Sequence, residues 1–156
     1  GSLVYSEGLK REQANVVGMF SLETVGHYDN RPNSQSFPLP LLRVFYPTKG
    51  NFIAFVSNFS SRSFLHQSLA LFRQQPEIPS QGIAAPGKVT GIDWSDHWSF
   101  WQAGYPAVMI TDTALFRYEH YHDRMDTPDK LDYDAMTRLS KGCFAMLKKL
   151  AGSDRD

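Results

Sequence analysis

Apolar runs that alternate with helical segments are the feature that most limits how this 156-residue chain can fold. The run "NVVGMFSLETVG", residues 15–26, contains β-branched residues throughout and is typical of a strand buried on both faces. Two further strands are predicted at "NFIAFVSNF", residues 51–59, and "PAVMITDT", residues 106–113. Strands separated by helices predict an α/β layered fold whose sheet is at least partly parallel.

Four helices are predicted around these strands. The first carries an apolar stripe up to about Gln13, and the second follows a Ser60 or Ser61 cap through residues 62–75. A short helix is predicted at "SDHWSFWQAG", residues 95–104, and the last from Tyr133 to Leu150. Residues 27–49, with four prolines, indicate a long surface excursion with a short strand at "LLRVFYP", and residues 76–88 a second loop.

Composition limits the class of partner. Sixteen basic residues balance sixteen acidic ones, so we expect neither nucleic acid nor a membrane as a partner. Cys143 is the only cysteine, which excludes an intrachain disulfide, and its neighbours predict a buried thiol in the last helix. The length and apolar content are those of one globular domain over residues 1–156.

Several polar side chains fall where the predicted strands end. Glu23 ends the first strand, Asp112 ends the last, residues 95–97 open a helix, and His122 lies in the following loop. Loops at the carboxyl ends of strands converge in α/β sheets, and carboxylate with imidazole is a ligand set typical of zinc. The alternative for residues 95–96 and 126–128 is helix capping. Glu23 needs a partner or a metal, because an unpaired charge in so apolar a run is costly.

Four segments together resemble a known family. They are "GMFSLETVGHY", "GNFIAFVSN", "WSDHWSFWQAGYPAVMITDT" and "HYHDRMDTPDKLDY", and in this order they are similar to the carboxyl-terminal half of the M28 zinc aminopeptidases. The resemblance implies a three-layer αβα fold with a mixed, mainly parallel sheet. It also implies a hydrolase that uses two zinc ions to cleave amino-terminal peptide bonds. Related sequences with this fold include glutaminyl cyclases, which use one zinc ion.

The resemblance also implies roles for particular residues. Glu23 and His122 match metal ligands, each of a different zinc ion. Asp96 matches a carboxylate that lies behind the metal site, and His97 a hydrogen-bonding support. The family's oxyanion-stabilising tyrosine falls at Ile92 in this chain, so Tyr121 is the candidate substitute.

A substrate pocket for an apolar first side chain is expected from nearby aromatic residues. Phe45, Tyr46 and Trp98 are the candidates, while Trp101 is expected to pack in the core.

The family's other ligands and its general base have no counterpart before Glu23. We therefore expect this chain alone to bind zinc weakly or not at all and to be inactive. The missing amino-terminal half of the domain and a peptide substrate are the expected partners, and the uncovered strand edge could cause dimerisation or swapping. The alternatives are a glutaminyl cyclase-like acyl transferase and a non-catalytic binding module. The resemblance is compatible with an exported protein.

Overall fold

A four-stranded mixed sheet forms the centre of the computed structural model, which describes residues 1–75 and 78–152. Its strands are β1 (Met19–Glu23), β2 (Ile53–Ser57), β3 (Ser80–Ala84) and β4 (Ala107–Thr111), in the order β1-β4-β2-β3. The pairs β1–β4 and β2–β3 are parallel, whereas β2 and β4 are antiparallel. The mixed, mainly parallel sheet predicted from the sequence is therefore confirmed.

Helices cover both faces of this sheet. Helices α2 (Arg62–Phe72) and α4 (Tyr133–Leu150) contact each other and pack on one face, where the larger apolar cluster includes Phe55, Phe72 and Ile110. Helix α3 (His97–Ala103) contacts β1 and β4 from the other side, with α1 (Ser2–Arg11) outside it. The result is the three-layer αβα arrangement. Every helix among the described residues is too short or too polar to cross a bilayer.

Helix α4 matches its prediction at both ends. Asp132 occupies its N-cap and accepts a hydrogen bond from the Ala135 N–H at 2.8 Å, which satisfies one of the free amide groups of the first turn. Cys143 is buried in the same helix, as predicted.

Three expectations about the elements are wrong. The segment "LLRVFYP" was expected to contain a strand, but residues Pro40–Val44 form a 3₁₀ helix with a proline in its first turn. Part of the second predicted loop is strand β3, which gains order by pairing with β2; residues 76 and 77 of that loop lie outside the described residues. The first run is not buried on both faces, because β1 is an edge strand and 61% of Leu22 is exposed.

Candidate active site

An apolar cleft opens on the sheet face that carries Ala54, Val56 and Met109. It holds about 910 Å³ of space between protein atoms, open mouth included. Segments that are distant in sequence line this cleft: residues 35–46, residues 89–94 and residues 111–116. Glu23 and Tyr121 also line it, so a carboxylate and a phenol face an otherwise apolar space.

The backbone on both sides of Glu23 is fixed by the adjoining strand ends. Glu23 is half-buried at the end of β1, in register with Thr111 of β4. Thr24 has a left-handed conformation, φ 47°, that is uncommon for a β-branched residue. Its hydroxyl donates to the Glu23 carbonyl at 2.7 Å and lies 3.2 Å from the Thr111 hydroxyl. These bonds hold the turn that presents the Glu23 carboxylate to the cleft.

Tyr121 and His122 lie side by side at the edge of the cleft. The centroids of the two rings are 4.0 Å apart. The pKa of Tyr121 is raised from its ordinary value, first by burial and then by the charges of Glu23 and Asp112. His122 is exposed and has a left-handed φ of 60°, an uncommon conformation for this residue. Tyr121 lines the cleft with Glu23, whereas His122 is not among the residues that line it.

Asp96 and His97 lie behind this region and differ sharply in exposure. Asp96 is exposed at the N-cap of α3 and makes no capping hydrogen bond. The His97 ring is fully buried, with its Nε2 atom 2.7 Å from the Ile92 carbonyl and its ring edge-on to Trp101. Burial lowers the pKa of His97 from its ordinary value. A neutral His97 can therefore donate to Ile92, a residue that itself lines the cleft.

The expected substrate-pocket residues do not share one location. Tyr46 lines the cleft and donates from its hydroxyl to the Gly82 carbonyl at 3.0 Å. Phe45 is 71% exposed and Trp98 37% exposed, and neither contributes to the cleft lining. Trp101 packs against the apolar cluster beneath the cleft, and its indole N–H donates to the Ala107 carbonyl at 3.0 Å.

The main features that the sequence did not reveal are a buried guanidinium and the contacts of Asp112. Arg117 donates to the carbonyls of Gly50 and Phe52, each at 2.9 Å, and from Nε to the Gln35 side chain at 2.8 Å. Burial lowers the pKa of Arg117 to about 10, an effect that the charge of Asp112 partly offsets. These contacts hold residues 35–52, which include most of the long surface excursion, against the segment that follows β4. No sequence motif marks Arg117, because its partners are mainly backbone atoms brought together by the fold.

Asp112 ties the turn after Glu23 to the end of β4. It is 1% exposed; its carboxylate accepts from the His27 N–H at 2.8 Å, and its own N–H donates to the Thr24 carbonyl at 2.8 Å. Its position at a strand end was the sequence signal, although the partner could not be identified from it.

Among residues 1–75 and 78–152, no group of three or more His, Cys, Asp or Glu side chains is placed to hold a metal ion. Catalytic zinc generally takes three protein ligands. The roles of Glu23 and His122 as zinc ligands stay predictions.

Comparison with known proteins identifies the family. The model of peptidase family M28 matches residues 1–147. This chain belongs to peptidase family M28. It is also 37% identical over 147 residues to the uncharacterized protein YfbL of Escherichia coli (strain K12), a match covering 94% of this chain and 45% of YfbL. The chain thus spans less than half the length of this relative.

Solved structures with the same fold are aminopeptidases. The LapA aminopeptidase of Legionella pneumophila matches with a TM-score of 0.67 at 18% identity, over 97% of this chain and 35% of LapA. The aminopeptidase of Aneurinibacillus sp. strain AM-1 matches with a TM-score of 0.60 at 19% identity, over 96% of this chain and 30% of that enzyme. At these identities the likeness shows the αβα fold, of which the M28 chain described here covers a part.

Proposed function

We propose that this chain is the carboxyl-terminal half of a single catalytic domain in a zinc-dependent aminopeptidase. The observation that carries the proposal is that Glu23 and Tyr121 face one apolar cleft at the carboxyl end of β1. Membership of peptidase family M28 supports peptide hydrolysis, and two solved structures with this fold are named as aminopeptidases. The activity proposed is that of the complete protein, and the 156-residue chain alone is inactive.

The zinc ligands are divided between this chain and the remainder of the protein. Glu23 and His122 each donate to a different zinc ion, and the other ligands and the general base lie outside the chain. Bound zinc supplies a Lewis acid and lowers the pKa of a coordinated water. Asp96 and His97 act behind the ligands, where His97 fixes the Ile92 backbone through its 2.7 Å contact.

Tyr121 is proposed to donate a hydrogen bond to the oxygen that becomes negative during peptide cleavage. A tyrosine phenol has an ordinary pKa of about 10 and is protonated near neutral pH, and burial followed by the charges of Glu23 and Asp112 raises the pKa of Tyr121 further. A neutral phenol is a good donor to a developing oxyanion. Tyr121 thus takes the role of the family's tyrosine, whose position is occupied by Ile92 in this chain.

The cleft is proposed to bind the first side chain of the substrate. The cleft lining is mainly apolar. It includes Met109, Ile92 and Phe116, together with the ring of Tyr46. An apolar first residue such as leucine fits this lining. The side chain of a charged first residue would lose its hydration without gaining an oppositely charged partner. Glu23 lies at the rim, where it can reach the peptide backbone beside the bound side chain.

An assay of the complete protein on aminoacyl-nitroanilides tests this function. We expect leucyl-nitroanilide to be cleaved faster than glutamyl-nitroanilide, and a chelator to abolish cleavage of both. Tyr121→Phe should lower kcat on the order of 100-fold, as loss of one oxyanion donor does. Activity that is indifferent to the chelator would exclude the metal mechanism.

A zinc titration of the isolated chain tests the divided site. Isothermal titration should detect no sub-micromolar binding, because two donors that serve different ions give neither ion its usual three protein ligands. Sub-micromolar affinity that is lost in Glu23→Gln and His122→Ala would contradict the division of ligands.

A further inference from the structure

One of the segments that line the cleft also presents apolar side chains to solvent. Residues 37–46, here called the cleft wall, turn Leu42 and Tyr46 towards the cleft. The large apolar side chains of the same segment that face outward are Leu39 at 50% exposure, Leu41 at 68%, Val44 at 75% and Phe45 at 71%. Exposed apolar side chains grouped within one short segment can mark a surface that contacts another apolar phase or molecule.

Two cationic side chains adjoin this surface. Residues 30–76 contain five Lys and Arg residues and no Asp or Glu, but Arg31 pairs with Asp29 at 2.6 Å, and Arg62 and Arg73 lie at the two ends of α2, on the other face of the sheet. Arg43 lies within the cleft wall and donates to the Asn33 side chain at 2.9 Å, and Lys49 follows the wall. Among the described residues, neither Arg43 nor Lys49 forms an ion pair. The apolar surface is therefore flanked by cations without acidic partners.

The position of the cleft wall separates it from the free edge at β1. The Tyr46 hydroxyl anchors the wall to Gly82 of β3, at the opposite end of the sheet. Three strand spacings, about 14 Å, separate β3 from β1. A polypeptide that pairs with β1 is therefore added to the side of the sheet away from the wall.

The backbone of the cleft wall suits contact with an apolar phase. In its 3₁₀ helix, the N–H groups of Leu42, Phe45 and Tyr46 donate to wall carbonyls at 3.0 Å. Pro38 and Pro40 have no N–H to satisfy. The N–H groups of Leu42, Phe45 and Tyr46 would therefore keep their hydrogen bonds when this surface enters an interface, which lowers the desolvation penalty.

We propose that the cleft wall docks on the surface of an anionic phospholipid bilayer. Leu41, Val44 and Phe45 enter the boundary between headgroups and acyl chains, and Arg43 and Lys49 contact lipid phosphates. The proposal departs from the expectation based on net charge, because that balance does not hold within residues 30–76. It does not depend on the peptidase activity. Docking in this way places the mouth of the cleft at the membrane surface.

Co-sedimentation of the 156-residue chain with lipid vesicles tests the proposal. Vesicles of phosphatidylcholine with about one third phosphatidylglycerol should bind the chain, and pure phosphatidylcholine should bind it more weakly. The triple variant Leu41→Ser/Val44→Ser/Phe45→Ser should lose on the order of tenfold or more in partitioning. Arg43→Gln and Lys49→Gln should each lose about fivefold at low salt. All these side chains are exposed, so the fold should be retained.

A double variant on the opposite face of the sheet provides the control. Phe144→Ser/Leu147→Ser removes apolar side chains that are 67% and 47% exposed on α4, and vesicle binding should be unchanged. The proposal is overturned if the chain stays in solution with the anionic vesicles, or if the triple variant binds as the wild type does. It is also overturned if the free chain self-associates through this surface, which sedimentation velocity would reveal as a dimer abolished by the triple variant.

Discussion

His97 illustrates how a single buried side chain links the fold to pH. The imidazole is 0% exposed, and its Nδ1 atom has no hydrogen-bond partner among the described residues. Its pKa is lowered by burial, so the folded chain resists protonation of His97 below the ordinary pKa of about 6.5, whereas the unfolded chain does not. The stability contributed by neutral His97 is full above that value and is lost as the pH falls towards the lowered folded pKa.

We predict that His97→Gln flattens this part of the pH dependence. Glutamine can keep a donor near the Ile92 carbonyl but cannot titrate, so the variant should be less stable at neutral pH by about 1–2 kcal/mol. Between about pH 7 and pH 5, it should lose less of its unfolding free energy than the wild type. Urea denaturation at both pH values measures the difference.

Leu69→Ala is the control for the His97 prediction. It removes a buried apolar side chain, 6% exposed, and should cost about 2–4 kcal/mol without adding or removing a titrating group. Its stability should fall with acid as steeply as that of the wild type. An equal slope in His97→Gln would show that His97 does not cause the acid sensitivity.

Asp112 permits a second prediction at the residue scale. Asp112→Ala removes the acceptor of the His27 N–H and the charge that offsets buried Arg117. We expect a loss of about 2–4 kcal/mol in the free energy of unfolding, measured in urea. Asp96→Ala, at an exposed carboxylate without a capping bond, should change it by less than about 0.5 kcal/mol. Similar losses of unfolding free energy in both variants would contradict the stabilising role of the Asp112 contacts.

At the scale of elements, the contact between α2 and α4 depends on one glycine. A Cβ added at Gly142 of α4 would lie 2.6 Å from a ring carbon of Phe72, which is 0% exposed in α2. Gly142→Ala should therefore destabilise the chain by about 1–3 kcal/mol, despite alanine's better helix propensity. Gly8 of α1 has no atom within 4 Å of its added Cβ, so Gly8→Ala should stabilise by up to about 1 kcal/mol. Thermal unfolding of both variants tests the pair, and a stabilised Gly142→Ala would refute the close packing.

Elements with a strong apolar pattern, including β2 and β4, could be predicted from the sequence, whereas β3 could not. Helix α4 carries its own N-cap and apolar stripe, so Tyr133–Leu150 was identified at both ends. Strand β3, "SQGIA", has no apolar alternation and is ordered by its pairing with β2. At the site, Glu23 stands out because it is a charge in an apolar run. Arg117 does not, because its acceptors lie between 65 and 90 positions away in sequence.

At the scale of the whole molecule, β1 presents an unpaired edge. In the described sheet β1 pairs with β4 alone, and Leu22 and Val17 are 61% and 70% exposed beside it. The chain covers 45% of YfbL and 35% of LapA, so each of those proteins contains polypeptide beyond the matched part. We propose that the amino-terminal half of the domain adds strands at this edge in the complete protein.

An open edge beside apolar side chains predicts that the isolated chain self-associates through β1. Sedimentation velocity at rising concentration should show a dimer, because a second copy of β1 can satisfy the free N–H and C=O groups of the edge. Leu22→Lys places a charge there and should shift the equilibrium towards monomer by about tenfold or more, whereas Phe144→Lys, on exposed α4, should not. Joining the preceding half of the domain should abolish the dimer, since the edge is then paired within one molecule. A chain that stays monomeric at every concentration, or a dimer that Leu22→Lys leaves intact, would mean that β1 is not the edge at which the domain is completed.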